Sequence, residues 1–303
     1  MKSTGSKLLE KYKDTQMKYF QSILLIILGI CLVSCETSVD ASDLLEKQQL
    51  VVINGYLSPQ DTTLKVQVSR SKSRASNTIN VKDMVIKDAT VVIADEENNE
   101  VALVYTEASL SYEAPASGLA ISPGKKYFLK VTALGKEYKA SCTIPTESVQ
   151  RIEKDIQIKD GESSGNRLLK VTVGDIKDQN NFYIIGAVVT QSFDNGGGTT
   201  SDGVENINFE FKQFATDVSR ENSVITADGF FTLSDSALPN PKVKIQVANA
   251  EKILYEALRA TYLNDFNDGD PFAESVIAPT NIEGENGYGV FAGYQLTEVE
   301  ETF

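Results

Sequence analysis

The chain has 303 residues, 41% of them apolar, and a formal net charge of −13. That length and apolar share allow one large domain or two ordinary ones, and the acidic balance argues against nucleic acid and anionic lipid headgroups as partners. The chain contains no histidine, which excludes Ser–His–Asp triads, Cys–His pairs and His-bound zinc.

The first element is a leader. Lys11, Lys13 and Lys18 precede an unbroken apolar run from Ile23 to Val33, which ends at Leu32-Val33-Ser34-Cys35. A basic start, a short apolar core and small residues at a cut make a secretory signal peptide. The run is about half the ~20 residues that span a bilayer as a helix. The cysteine at the cut resembles a bacterial lipoprotein signal. That resemblance implies removal of residues 1–34 and lipidation of Cys35. Dual acylation anchors a protein stably, because each buried methylene adds roughly 0.8 kcal/mol. Met17-Lys18-Tyr19 is a more natural start than Met1, so residues 1–16 read as an over-extension of the gene. The leader carries five Lys and two acids, so its loss takes the net charge to −16. Residues 35–48 read as a polar, acidic tether.

Strand periodicity begins at residue 49. Leu50 to Tyr56 is a buried strand run that ends at a turn, Ser58-Pro59-Gln60-Asp61. Leu64-Lys65-Val66-Gln67-Val68 alternates apolar and polar, so one face is buried and one wet. Ser69 to Asn80 reads as a long loop bearing Arg70, Lys72 and Arg74. Ala89 to Ala94 and Val101 to Tyr105 form a hairpin about Asp95-Glu96-Glu97-Asn98-Asn99. Pro123-Gly124 turns the chain into Tyr127-Phe128-Leu129-Lys130-Val131, and Leu134-Gly135-Lys136 turns it again into Tyr138 to Ile144. Some seven short strands predict an all-β N-terminal domain, residues 49–146, of the immunoglobulin or fibronectin sandwich type. The antibody-type cysteine pair and core Trp are absent. Cys142 reads as a small buried apolar residue.

Residues 147–303 predict a second sandwich-like, β-rich domain with one short helix. Its expected strands are Arg167 to Val173, Phe182 to Val189, Ile207 to Phe211, Phe230 to Leu233 and Val243 to Val247. The loop 194–203 holds Gly196-Gly197-Gly198, whose entropy cost of ordering predicts mobility. A helix near 250–264 follows, with Asn249 as its cap and Glu251 in its first turn. Leu254, Ala257, Leu258 and Tyr262 make its apolar face.

Chemical motifs are sparse. No P-loop, dinucleotide fingerprint or G-x-S-x-G elbow occurs. The stretch Asn264-Asp265-Phe266-Asn267-Asp268-Gly269-Asp270 could hold calcium through Asp265, Asp268 and Asp270. It fails the EF-hand pattern, because its glycine falls one place early, and its Asp and Asn suit a capped turn leaving the helix. Catalysis by two carboxylates needs no histidine, but 42 acids make such a pair uninformative. No other cofactor is expected. Contact residues for a partner are expected in the loops, at Arg70, Lys72 and Arg74 and at Asp194 and Asp202.

The end of the chain carries a specific pattern. Asp270-Pro271-Phe272-Ala273-Glu274 is followed by Thr280-Asn281-Ile282-Glu283-Gly284-Glu285-Asn286-Gly287-Tyr288-Gly289-Val290-Phe291. With Cys35-Glu36, the Leu50 to Tyr56 strand, Ala89-Thr90-Val91 and Pro123-Gly124-Lys125-Lys126-Tyr127, it resembles the Bacteroidetes lipoprotein family of domain of unknown function 4249. The resemblance covers Cys35 to Phe303. It implies an outer-membrane lipoprotein, often encoded beside TonB-dependent receptors, and so an accessory to a β-barrel receptor in nutrient capture. It implies no active site. Phe272 and Phe291 are expected as core anchors, and Pro271, Gly284, Gly287 and Gly289 as backbone-shaping residues. Glu36 and Asp40, soon after Cys35, resemble the surface-export signals of this phylum, which implies the cell surface over the periplasmic face. The rival expectations are an adhesin-like or structural surface protein and a carboxylate-based hydrolase.

Overall fold

A computed structural model describes residues 49–71, 80–158, 165–218, 224–268, 270 and 272–303. Cys35, the tether, Lys72 and Arg74 lie outside the described residues. The protein is all-β and sandwich-like, with one helix longer than a single turn among the described residues.

Seven strands build the first core: β1 (Val51–Leu57), β2 (Thr63–Arg70), β3 (Thr90–Asp95), β4 (Glu100–Thr106), β5 (Ser111–Pro115), β6 (Lys126–Ala133) and β7 (Lys136–Thr143). They run in the spatial order β1-β2-β5-β4-β3-β6-β7. Strand β5, Ser-Tyr-Glu-Ala-Pro, has too short and mixed a pattern to stand out in the sequence. Alternation sends Ile53, Leu64, Val66, Ile93, Leu129, Val131 and Tyr138 inward, all at most 2% exposed. Cys142 joins this core, as its setting predicts.

The second core lies between two sheets. One is β13 (Ile225–Thr232), β9 (Asn166–Val173) and β8 (Ile152–Ile158). The other contains β11 (Thr200–Asn206), β10 (Phe182–Asp194), β14 (Lys242–Ala250) and β15 (Gly287–Thr302), with β12 (Phe214–Thr216) beside β10. Leu169, Val171, Tyr183, Ile185, Val189, Ala227, Val243, Ile245 and Val247 fill it.

Strand β15 belongs to both cores. Its first half, Gly287–Gly293, runs parallel to β1, and Tyr294–Thr302 runs antiparallel to β14. The last strand of the chain therefore returns to pair with the first, and a single large sheet crosses the expected division at residue 146. Parallel pairing needs a long crossover, which here is most of the chain. Gly289 permits the closest approach: its φ is +110°, and a Cβ there would stand 2.1 Å from the Ile53 carbonyl oxygen.

Helix α1 (Lys252–Phe266) starts two residues after β14. Asn249 does not cap it. Strand β14 continues through Ala250, opposite Tyr294, so Asn249 is a buried strand residue whose amide donates to the Glu147 carbonyl at 2.9 Å. Leu254 and Ala257 pack on Val290 and Ala292, with Leu258 against the same cluster. The first half of β15 is thus covered on both faces, Phe291 in the first core and Val290 under the helix. Tyr262 joins Phe211 and Phe266 in an aromatic group, with ring centroids 5.5 Å and 4.8 Å from Phe211.

Two local expectations are corrected. Ile207 to Phe211 is not a strand: Asn208 makes one bridge to Phe230, and Glu210–Gln213 forms a 3-10 turn. Glu210 takes a positive φ of 51°, which breaks the alternation. Phe272 is 93% exposed and anchors nothing, whereas Phe291 is fully buried as expected. Phe272 follows a turn in which the Asp270 carboxylate accepts its N–H at 2.9 Å, and that turn directs the ring to solvent.

Candidate functional site

The outward positions of β1 and β2 can carry polar residues because only the opposite face of each strand enters the first core. Asn54 and Tyr56 point out of β1, and Thr63, Lys65 and Gln67 out of β2. Ser111 of β5 and Tyr294 of β15 complete the rim of a cleft of about 600 Å³ on this face. That volume falls in the range of small-molecule sites, roughly 300–1,000 Å³.

The β1–β2 turn supplies its acid. The Asp61 carboxylate accepts the Ser58 N–H at 2.9 Å and the Tyr294 hydroxyl at 3.0 Å. The neighbouring Gln60 side-chain amide oxygen accepts the Leu296 N–H at 3.3 Å. The turn is therefore pinned to β15 at the point where that strand leaves β1 for β14. Burial pushes the Asp61 carboxyl above its ordinary range, opposed by the Tyr294 and Ser58 donors. Burial also raises the Tyr56 and Tyr294 hydroxyls. Both tyrosines lean against the Leu254–Val290 cluster under α1, which fixes them at the cleft wall. Across the cleft, Lys65 pairs with Glu113 at 2.9 Å.

These residues escape sequence reading for a physical reason. Lys65 and Gln67 look like ordinary solvated strand positions, Asp61 like a turn residue, and Tyr294 lies more than two hundred residues away. The one available signal is the polar half of the β2 alternation.

The expected contact residues fall in two separate places. Arg70 ends β2 opposite Val51, outside the cleft. Asp194 and Asp202 share the β10–β11 hairpin. Asp194 accepts the Gly196 N–H at 2.8 Å, and Asp202 accepts the Ser192 hydroxyl at 2.7 Å. The glycine loop closes the β10–β11 hairpin as a turn. All three glycines take positive φ, and Asn195 donates to the Thr199 carbonyl at 3.0 Å. Glycine's freedom at positive φ serves the turn itself here.

The expected calcium residues Asp265, Asp268 and Asp270 line one surface cleft with Asn264 and Glu274. Among the described residues, no group of three or more His, Cys, Asp or Glu side chains is placed to hold a metal ion. Asp265 lies in the last turn of α1, and Asp270 is used as the turn acceptor for Phe272. One neighbouring pair of carboxylates, Asp175 and Asp217, bears on the hydrolase expectation. Burial raises Asp175, and the Asp217 charge adds to the effect. Asp175 accepts the Tyr183 hydroxyl at 2.8 Å, and Asp217 accepts the Asn181 amide at 2.8 Å. This arrangement ties the Asp175–Asn181 segment to β12.

No curated protein matches the chain. The family model described as "Domain of unknown function (DUF4249)" matches residues 36–300, and the chain belongs to that family.

Proposed function

We propose that the protein is a lipid-anchored, non-catalytic binding protein of the outer membrane, facing the cell surface, that assists a TonB-dependent β-barrel receptor in nutrient capture. The observation that carries the reading is Leu32-Val33-Ser34-Cys35 at the end of the Ile23–Val33 run. The family match supports it by beginning at residue 36, directly after that cysteine. The lack of histidine removes the commonest catalytic groups, and the one deeply set cleft acid, Asp61, has no second unpaired carboxylate beside it in the lining. Tethering raises the local concentration of the cleft at the membrane.

The test is a pull-down from native membranes in mild detergent through a C-terminal tag, with and without Cys35→Ser. A β-barrel receptor in stoichiometric yield, lost with the anchor, supports the reading. A clean monomer, recovered again after crosslinking, together with unchanged uptake on deletion, sinks it and favours the adhesin-like role.

A further inference from the structure

The cleft also specifies a chemical class of ligand. Among the described residues, no unpaired charge lines it to select an ion. Asp61 repels an anion, and the protein around it is strongly acidic. The Lys65 ammonium is paired with Glu113 at 2.9 Å, so the pair is neutral as a whole and offers an anion no free cation. Both Asp61 oxygens already hold a donor, from Tyr294 and from Ser58, so no bare carboxylate waits for an amine.

What remains in the lining is neutral and works in both directions. Gln67 offers an amide, Thr62 and Thr63 offer hydroxyls, and each can donate and accept. Thr62, Thr63 and Gln67 are exposed to solvent on the strand face. Hydroxyl groups of a ligand also donate and accept, so their pairing with such a surface needs no charge. Tyr56 and Tyr294 add two partly exposed rings, backed by the cluster under α1. Rigid aromatic walls bury the C–H faces of a ring at little cost in conformational entropy.

We infer that the Asn54–Tyr56–Gln67–Tyr294 cleft binds a neutral, polyhydroxylated ligand, a short oligosaccharide. This rests on the binding role proposed above and names the ligand class for it. Asn54 is a wall residue, because its side-chain oxygen accepts the Val290 N–H at 3.1 Å. Thr63 and Gln67 are the free-standing recognition groups.

The experiment is calorimetric titration of the full lipidated chain, held in a detergent without a sugar headgroup. The probes are maltohexaose, cellohexaose, xylohexaose and mannohexaose, with oligogalacturonate and spermidine as charged comparators. At least one neutral probe binds, and neither charged one does. The double variant Thr63→Val/Gln67→Ala weakens that binding about tenfold or more, as loss of one or two net hydrogen bonds requires, with an unchanged melting temperature. Tyr56→Ala weakens it as well. Binding of only oligogalacturonate or spermidine overturns the inference, as does no binding by any neutral probe. Neutral binding undiminished in the double variant overturns the site. The outcome is independent of receptor capture, so failure of the ligand class and failure of the accessory role are read separately.

Discussion

Glu251 and Gly293 hold each other by reciprocal hydrogen bonds. The Glu251 N–H donates to the Gly293 carbonyl at 3.0 Å, and the Gly293 N–H donates to the Glu251 carboxylate at 2.6 Å. The second carboxylate oxygen accepts the Thr143 N–H at 2.8 Å. One side chain thereby joins the start of α1, the end of β7 and the residue at which β15 changes partner. Glycine is required at 293, because a Cβ would meet the Thr143 carbonyl oxygen at 2.7 Å.

Glu251→Gln is expected to destabilise the protein by about 1–3 kcal/mol, since an amide has one acceptor oxygen for two N–H groups. Chemical denaturation at neutral pH measures it. The variant also changes the pH dependence. Burial holds the Glu251 carboxyl above its ordinary 4.5, against the pull of Gly293 and Thr143. A value raised on folding gives stability that is complete below about pH 4.5 and is lost as the pH climbs through the raised value. That part of the slope disappears in Glu251→Gln; an unchanged slope contradicts the assignment.

Gly289→Ala and Gly196→Ala separate two uses of glycine. At 289 a methyl group collides with the Ile53 backbone at a φ of +110°, so the parallel β1–β15 pairing must yield. A loss of about 3 kcal/mol or more is expected. At 196 nothing lies within 4 Å, and the φ of +80° is the only penalty, so about 1 kcal/mol is expected. Equal losses in thermal melts would falsify this account of the closing strand.

Glu137 on β7 is an exposed acid flanked by two lysines. Hydrogen bonds from Lys130 and Lys139 hold its carboxyl at about 2, against an ordinary 4.5. A depressed value means that its contribution is present above about pH 4.5 and is lost as the pH falls towards 2. NMR titration of the side-chain carboxyl should find the midpoint near 2, and Lys130→Ala with Lys139→Ala should return it towards 4.5. High salt should raise it in part, because exposed charges are screened.

Cys142 is 2% exposed, and burial pushes its thiol far above the ordinary range. A disulfide reagent is expected to leave it untouched in the native protein at pH 8 and to react at the rate of unfolding in denaturant. Rapid native labelling shows that β7 opens locally.

Local pattern carried the strands and the helix face. Leu64-Lys65-Val66-Gln67-Val68 had to be a half-buried strand, since its period of two sends every second residue to one side. Leu254, Ala257 and Leu258 had to share a helix stripe for the same kind of reason at a period of 3.6. Strand β5 and the Glu210 turn escaped because four or five mixed residues hold too little periodicity, and a positive φ at Glu210 leaves no mark in the sequence. Glu251 was legible as a helix-start acid, while its role as a clasp was not.

The sequence by itself determined the all-β class, the lack of histidine and family membership, because each depends on composition or on neighbours along the chain. The tertiary structure alone decided that β15 pairs with both β1 and β14, and that Asp61 meets Tyr294 at the rim of a cleft. The β1–β15 pairing and the Asp61–Tyr294 contact join residues more than two hundred positions apart. The hydrogen bonds and close packing that select them exist only once both cores have closed on a shared strand.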